Sequence, residues 1–190
     1  MRVFVALDFP DAVRACVRDL IARLRPLSSG AHWARPEGMH ITLKFIGQMD
    51  PGKLDAIRAA LTSISTRRPV EMHFRGLGFF PHERKPRVLW CGVESSRNLA
   101  ELASGIENAL EPLGIRRESR EFVPHLTLAR FDSQCRRKGI DKLLSVANEL
   151  KSCDFGAALE SEFHLYESVL RPSGAEYKRL AAFPFVRDLE

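Results

Sequence analysis

His40-Ile41-Thr42-Leu43 and His125-Leu126-Thr127-Leu128 repeat one pattern, in which a histidine, an aliphatic residue, a threonine and a leucine follow one another. Each motif is predicted to lie in a β-strand, because polar and apolar residues alternate. Side chains of a strand alternate between its two faces, so histidine and threonine share one face and the aliphatic residues share the other. The aliphatic face is predicted to anchor each strand to a core, which leaves histidine and threonine to face a groove.

The segments around the two motifs follow the same order, which predicts a repeat of architecture. The helical and strand patterns of the first half recur in the second, at the same offset of 85 residues that separates His40 from His125. We therefore predict one bilobal domain over residues 1–190. Its repeat units cover roughly 10–94 and 95–186 and are related by a pseudo-two-fold axis.

Each unit is predicted to contain a helix, the motif strand, a second helix and two further strands, after a buried first strand over 2–8. The second helix of the first unit has a recognisable start, since Asp50 can cap it and Pro51 suits its first position. The predicted helices cover residues 11–24, 50–64, 96–111 and 138–150. The predicted strands cover 40–46, 70–79, 87–94, 122–131, 157–169 and 175–185, with short strands at 31–35 and 115–120.

Composition and charge limit the classes of protein that this chain can be. Hydrophobic residues make up 45% and charged residues 28%, as in a globular domain, and no apolar run reaches the ~20 residues of a membrane span. The net charge of +5 favours polyanionic partners. We expect free thiols and a cytoplasmic location, because no C-x-x-C pair occurs among Cys16, Cys91, Cys135 and Cys153.

Two imidazoles and two hydroxyls that face one cleft suit phosphodiester cleavage. A neutral histidine can take a proton from the attacking oxygen while a protonated one gives a proton to the leaving oxygen. Threonine hydroxyls can donate hydrogen bonds to the non-bridging phosphate oxygens. This scheme needs no metal and no other cofactor. A catalytic zinc site would need a third protein ligand, and no motif supports any of the candidates His32, His73, His82 and His164.

Longer stretches around the motifs resemble the two-histidine (2H) phosphoesterase superfamily. Within that superfamily, the chain is similar to the RNA 2′,3′-cyclic phosphodiesterases, also called 2′-5′ RNA ligases. The resemblance spans the full length. It rests on an opening strand, the two motifs with their lead-in residues and a closing hairpin, at 2–7, 33–47, 122–130 and 167–184.

The resemblance implies an α+β fold in which two antiparallel-type sheets flank a central cleft and the helices lie outside. It also implies hydrolysis of a terminal RNA 2′,3′-cyclic phosphate to a 2′-phosphate. His40 would be the proton donor to the departing 3′ oxygen, and His125 the proton acceptor that activates water. Thr42 and Thr127 would bind the phosphate. The motif spacing alone leaves open which histidine plays which role.

The resemblance suggests two further substrate-binding residues, Phe45 and Arg130, each five positions after its motif histidine. Arg130 would bind phosphate oxygens, and Phe45 would stack on a terminal base. Strict alternation places both side chains on the face opposite the histidines. A bulge, a twist or the end of the strand must therefore redirect them.

Other functions stay open at this point. The substrate could be a small cyclic phosphate or a 2′-5′ oligonucleotide, and the same chemistry with an RNA hydroxyl instead of water would join RNA through a 2′-5′ bond. A non-catalytic RNA-binding module would not need both histidines. The favoured partners are RNA ends that carry a 2′,3′-cyclic phosphate, with tRNA fragments among the candidates, and no membrane partner is expected. We expect a monomer, because one chain supplies both half-sites.

Overall fold

The computed structural model describes residues 1–28, 30–64, 68–132, 140–171 and 174–185. In these residues the chain forms nine strands and four helices. Their order is β1 (Arg2–Leu7), α1 (Asp11–Leu24), β2 (His32–Trp33), β3 (Ile41–Gln48), α2 (Leu54–Thr62), β4 (Val70–Phe80), β5 (Val88–Ser95), α3 (Arg97–Leu110), β6 (His125–Arg130), α4 (Asp141–Glu149), β7 (Asp154–Glu160), β8 (Glu162–Arg171) and β9 (Gly174–Pro184).

The strands form two antiparallel sheets. The His40 sheet has the order β3-β1-β8-β9, and the His125 sheet has the order β2-β6-β5-β4-β7. The predicted α+β fold with two antiparallel sheets is therefore confirmed. Each sheet takes strands from both predicted repeat units, because β8 and β9 join β1 and β3 while β6 joins β4 and β5. The division of the chain into two repeat units, roughly 10–94 and 95–186, stays a prediction.

One hydrophobic core holds the sheets and helices together. Both motif strands contribute their aliphatic residues to it, and Ile41, Leu43, Leu126 and Leu128 are at most 5% exposed. Helix α1 buries Val13, Val17, Leu20, Ile21 and Leu24, spaced as one face of a helix requires. A second, smaller cluster of Phe4, Ala6 and Tyr166 lies apart from this core. The His40 sheet thus carries apolar side chains on both faces, and the smaller cluster marks the face that does not pack on the core.

Most predicted elements are present within a few residues, and the predicted cap at Asp50 forms. The Asp50 carboxylate accepts a hydrogen bond from the Gly52 N–H at 2.9 Å, at the start of a 3₁₀ turn over Pro51–Lys53. Helix α2 itself begins only at Leu54. The second motif strand begins at His125 rather than at 122. Residues 138 and 139 of the last predicted helix lie outside the described residues.

The short strand predicted at 115–120 is wrong, because side chains satisfy the backbone groups that a strand would pair. The carbonyl of Arg116 accepts from the Lys44 ammonium at 2.7 Å, and the Glu118 N–H donates to the Glu107 carboxylate at 3.3 Å. The segment is irregular and lies against β3 and α3.

The single strand predicted at 157–169 is also wrong, since it is two strands that belong to different sheets. β7 pairs with β4 in the His125 sheet, and β8 pairs with β1 in the His40 sheet. The chain crosses from one sheet to the other at the exposed Ser161. The polar residues Glu160, Ser161 and Glu162 stand at the crossing, but no glycine or proline occurs there to indicate the end of a strand.

Two further findings concern the whole described chain. None of its helices is both long enough and apolar enough to cross a bilayer. The thiols of Cys16, Cys91 and Cys153 are free. Cys135 lies outside the described residues.

Candidate active site

The two motif histidines are held by the same hydrogen bond. The Nδ1 atom of His40 lies 2.9 Å from the carbonyl oxygen of Gly38, and that of His125 lies 2.8 Å from the carbonyl oxygen of Val123. A carbonyl only accepts, so Nδ1 carries the hydrogen in both rings. Each neutral imidazole therefore keeps its lone pair on Nε2, which is the form that a proton-transfer residue needs.

The two motifs are physically linked, because the lead-in to the first motif pairs with the strand of the second. His32 and Trp33 of β2 lie opposite Arg130 and Ala129 of β6. The Ala34 N–H then donates to the Leu128 carbonyl at 2.9 Å. β3 also lies against β6. The chain that leads into His40 is thus fastened to the strand that starts at His125.

Both threonines lie on the strand face predicted for them. Thr42 lies opposite Ala6, and Thr127 lies opposite Trp90. Both side chains are half-buried. In the described part of the chain neither hydroxyl has a hydrogen-bond partner, so both can donate to a bound oxyanion.

A β-bulge in β3 turns Phe45 to the face of the first motif. Thr42 lies opposite Ala6 and Phe45 lies opposite Phe4, with an irregularity of register between them. Ala6 and Phe4 are two residues apart in β1 and so share a face. Thr42 and Phe45 therefore share a face as well, although three positions separate them. The Phe45 ring is 48% exposed.

The second motif has the same bulge at the same place. Thr127 lies opposite Trp90 and Arg130 lies opposite Val88, again with an irregularity between them. Since Trp90 and Val88 share a face, Arg130 shares the face of Thr127. Burial is the largest cause that lowers the pKa of His125, and the positive charge of Arg130 lowers it further. The hydrogen bond to the Val123 carbonyl acts in the opposite direction. Strict alternation along the strands required a bulge, a twist or a strand end to turn Phe45 and Arg130 toward the faces of their motifs. The two bulges turn them in this way.

His40 lies in an aromatic box. Its ring stacks on Phe4 with centroids 4.4 Å apart, meets Tyr177 edge-on at 5.0 Å, and has Tyr166 at 6.2 Å. Burial lowers the pKa of His40 to about 4, and the bond to Gly38 and the charge of Asp8 act in the opposite direction.

Asp8 is itself held in place beside this box. The Tyr166 hydroxyl donates to its carboxylate at 2.8 Å, and Arg179 donates at 2.9 Å. His164, which is 2% exposed, has Nδ1 at 3.6 Å from Asp8 and Nε2 at 3.0 Å from Glu162. The carboxylate of Asp8 thus stands between His40 and a buried second histidine.

His125 has fewer neighbours among the described side chains. Phe80 meets its ring edge-on with centroids 4.9 Å apart. Burial is the largest cause that lowers the pKa of His125, and Arg130 adds to it. The lowered pKa keeps the His125 imidazole neutral near pH 7, which is the protonation state that a general base needs.

A family model, the 2′-5′ RNA ligase superfamily, matches residues 9–165 of the chain. The chain belongs to this superfamily. An RNA 2′,3′-cyclic phosphodiesterase of Archaeoglobus fulgidus is 36% identical over 183 residues, which cover 96% of this chain and 99% of the relative. One of Thermotoga maritima is 32% identical, with 95% and 93% covered.

Solved structures share the fold of this chain. The TT0787 protein of Thermus thermophilus is similar with a TM-score of 0.82 and 28% identity, and 99% of this chain and 100% of that chain are covered. Escherichia coli LigT complexed with 3′-AMP has a TM-score of 0.77 at 23% identity, with 98% of each chain covered, and supports the fold.

In this superfamily member, Arg14 is a site residue that the motif analysis missed. Its guanidinium donates to the carbonyls of Pro36, Met39 at 3.3 Å and Phe9 at 3.3 Å. These contacts fasten the loop that carries Gly38, whose carbonyl orients His40. Arg14 sits on α1, and its sequence neighbourhood gives no sign of the loop that it reaches.

The candidate metal ligands do not come together within the described ranges. No group of three histidine, cysteine, aspartate or glutamate side chains there could hold a metal ion. His32 lies 3.6 Å from Asp132 and His73 lies 3.2 Å from Glu71, both at the surface. His164 is the one of these candidates that lies near His40, and it is engaged by Asp8 and Glu162.

Proposed function

We propose that this protein hydrolyses the 2′,3′-cyclic phosphate at an RNA end to a 2′-phosphate, with His40 and His125 as its catalytic acid and base and without a metal. The observation that carries the proposal is the matched pair of motifs. Each holds its imidazole through Nδ1, keeps a threonine on the same face, and redirects one substrate-binding side chain by a bulge. The relatives named RNA 2′,3′-cyclic phosphodiesterases support the same reaction.

The reaction is an in-line displacement at phosphorus. His125 takes a proton from water, the water oxygen bonds to phosphorus, and the bond from phosphorus to the 3′ oxygen breaks. His40, as an imidazolium, gives its proton to that 3′ oxygen. The hydroxyls of Thr42 and Thr127 and the Arg130 guanidinium stabilise the charge on the non-bridging oxygens, and Phe45 stacks on the terminal base.

Local charge favours this division of roles between the histidines. Asp8 raises the pKa of His40 and so favours an imidazolium there, whereas Arg130 lowers the pKa of His125 and favours a neutral base. Burial outweighs Asp8 at His40 in the free protein. The anionic phosphate of a bound substrate adds a second negative charge beside His40, which favours protonation at that ring.

The same groups account for 2′-5′ ligation. A 5′-hydroxyl of RNA in the place of water would give its proton to His125 and bond to phosphorus, while His40 protonates the departing 3′ oxygen, and a 2′-5′ linkage would form. Because one chain carries both motifs, we expect the active species to be a monomer, which the elution volume in size-exclusion chromatography tests.

The decisive experiment is an assay of a short RNA that ends in a 2′,3′-cyclic phosphate, in excess EDTA. Conversion to a 2′-phosphate end, identified by its resistance to a 3′-specific phosphatase and by mass, is the expected result. A 3′-phosphate product would contradict the proposed leaving group. Absence of turnover with a folded protein, restored by a divalent cation, would contradict metal independence.

A further inference from the structure

A groove lies beside the candidate site and is not used by the reaction proposed above. It runs between the end of β3 and the segment that follows α3, and its volume is about 680 Å³. Such a volume falls within the ~300–1,000 Å³ typical of ligand sites. Phe45, Lys53, Arg116 and Arg117 are among its lining residues. Phe45 belongs to both regions, since the bulge in β3 places it on the motif face as well.

One wall of the groove is built on a buried ion pair. The Lys44 side chain is 3% exposed, and its ammonium donates to the Glu107 carboxylate at 2.6 Å and to the Arg116 carbonyl at 2.7 Å. The other Glu107 oxygen accepts from the Glu118 N–H at 3.3 Å. The backbone of the segment is therefore fixed against β3, while its arginine side chains point outward.

The side chains that this wall presents are mainly cationic. Arg116 is exposed and has no ion-pair partner within the described residues, and Lys53 is likewise exposed. Arg117 is partly neutralised by Glu111 at 3.4 Å. The anionic lining residues are Asp50, whose carboxylate caps a turn, and Glu118. The Arg2 guanidinium lies 4.8 Å from the Phe45 ring centroid, so the shared end of the groove is cationic too.

We propose that this groove binds the phosphodiester backbone of the nucleotides on the 5′ side of the RNA end, with Lys53 and Arg116 as its main cationic contacts. The inference rests on the proposed function. It adds that the enzyme selects oligonucleotides over mononucleotides. A single-stranded polyanion that has a terminal base on Phe45 meets an aromatic platform followed by a cationic track, which is the arrangement that single-strand binding uses.

The test compares two substrates of the full chain, a 2′,3′-cyclic mononucleotide and a ten-nucleotide RNA with the same end. Its variants are Arg116→Glu and Lys53→Glu, both at exposed side chains, so the Arg116 carbonyl keeps its bond to Lys44. Arg97→Glu is the matched control. Arg97 lies at the first position of α3, whose far end borders the groove, and 14 residues of helix span about 20 Å.

For the native protein we expect kcat/KM to be at least tenfold higher for the oligonucleotide at low salt. Each groove variant should lower the ratio of oligonucleotide to mononucleotide kcat/KM by about tenfold. The slope of log kcat/KM against log salt should fall by about one for each cation that no longer pairs with a phosphate. Arg97→Glu should leave the ratio unchanged. Equal ratios in all four proteins would overturn the inference and leave the proposed function standing.

A failure of the proposed function would give a different pattern, because neither substrate would be turned over. Fluorescence anisotropy with a ten-nucleotide RNA that ends in a 2′-phosphate then tests the groove by itself. Weaker binding by Arg116→Glu and Lys53→Glu than by Arg97→Glu supports the groove. Equal binding by all variants overturns it.

Discussion

His40 and His125 are held by the same kind of bond but lie in different surroundings. Each donates from Nδ1 to a carbonyl two residues upstream, and each is followed by a bulge that redirects the residue five positions later. His40, however, stacks on Phe4 inside an aromatic box with Asp8 nearby, whereas His125 meets one ring edge and a cation. The motif thus fixes tautomer and orientation, while burial lowers the pKa of both rings and the nearby charges act in opposite directions, Asp8 raising that of His40 and Arg130 lowering that of His125.

The strongest challenge to this comparison is removal of either imidazole. His40→Ala and His125→Ala should each lower kcat/KM by ~10²–10⁴-fold, because each removes one partner of the proton transfer. Steady-state kinetics on the cyclic-phosphate RNA measures the loss.

Stability should separate the same two variants. His40→Ala loses ring contacts with Phe4 and Tyr177, each worth ~0.5–1.5 kcal/mol, whereas His125→Ala loses one with Phe80, so His40→Ala should unfold at lower urea concentration. Near-native activity in either variant would remove that histidine from the mechanism. Equal stability of the two variants would contradict a stabilising role of the aromatic box around His40.

The threonines come next in expected effect. Thr42→Ala and Thr127→Ala should each reduce kcat by ~10²–10³-fold, since each removes one hydrogen-bond donor to the phosphate. Thr42→Ser and Thr127→Ser keep the hydroxyl and serve as controls that should recover most of the activity. A serine variant as poor as its alanine counterpart would show that the methyl group matters rather than the donor.

Arg14 sharpens the contrast between the halves, because two of its hydrogen bonds go to the carbonyls of Pro36 and Met39, on either side of the Gly38 that orients His40. Arg14→Ala should lower kcat about tenfold with little change in KM, since a slightly misplaced acid slows the chemistry more than the binding. NMR of the imidazoles should show a perturbed His40 and an unchanged His125. Arg23→Ala, an exposed arginine in the last turn of α1, is the control. Equal effects of the two substitutions would contradict a positioning role.

The smallest expected effect concerns protonation. With a pKa of about 4, His40 is protonated in roughly one molecule in a thousand at pH 7, and this fraction rises tenfold for each pH unit lowered toward 4. Asp8→Asn removes a charge that raises this pKa, so the pKa should fall further and activity should drop a few-fold. NMR titration of both imidazoles, without and with a 2′-nucleotide product, measures the pKa of each ring.

The titration needs a control variant for Glu160, because this carboxyl also titrates near neutral pH. Burial, Asp8 and Glu162 raise the pKa of its carboxyl to about 7, so it titrates within the range of an activity profile. Glu160→Gln removes this ionisation. If bound product fails to raise the pKa of His40 in either background, the acid role of His40 is contradicted.

Much of this molecule could be predicted from local pattern. The helical faces, most of the strands and the shared face of each histidine and threonine follow from periods of 3.6 and 2, and the two antiparallel sheets were implied by the family resemblance. The sequence shows that a bulge, a twist or a strand end must redirect Phe45 and Arg130. It does not show where a bulge lies, because that depends on the pairing with the partner strand. The crossing at Ser161 and the irregular segment at 115–120 were missed since partners remote in sequence decide both.

The surroundings of His40 were out of reach for the same reason. Tyr166 lies 158 residues from Asp8, and Arg179 lies 171 residues from it. No single-sequence pattern joins such positions. The first motif could thus be recognised as an imidazole on a strand, while the burial that lowers the pKa of His40 depends in part on Tyr166 and Tyr177, near the other end of the chain.

The pairing of β1 with β8 has a consequence for how the protein is made. Strand β1 can pair with β3 early, but it leaves the ribosome long before its second neighbour, β8, and Tyr177 closes over His40 later still. Domains with such non-local pairing fold slowly. The nascent chain therefore carries His40 long before Tyr166 and Tyr177, which complete its aromatic box, have been made, and the surroundings of His40 should form in one late step, when the closing hairpin of β8 and β9 docks.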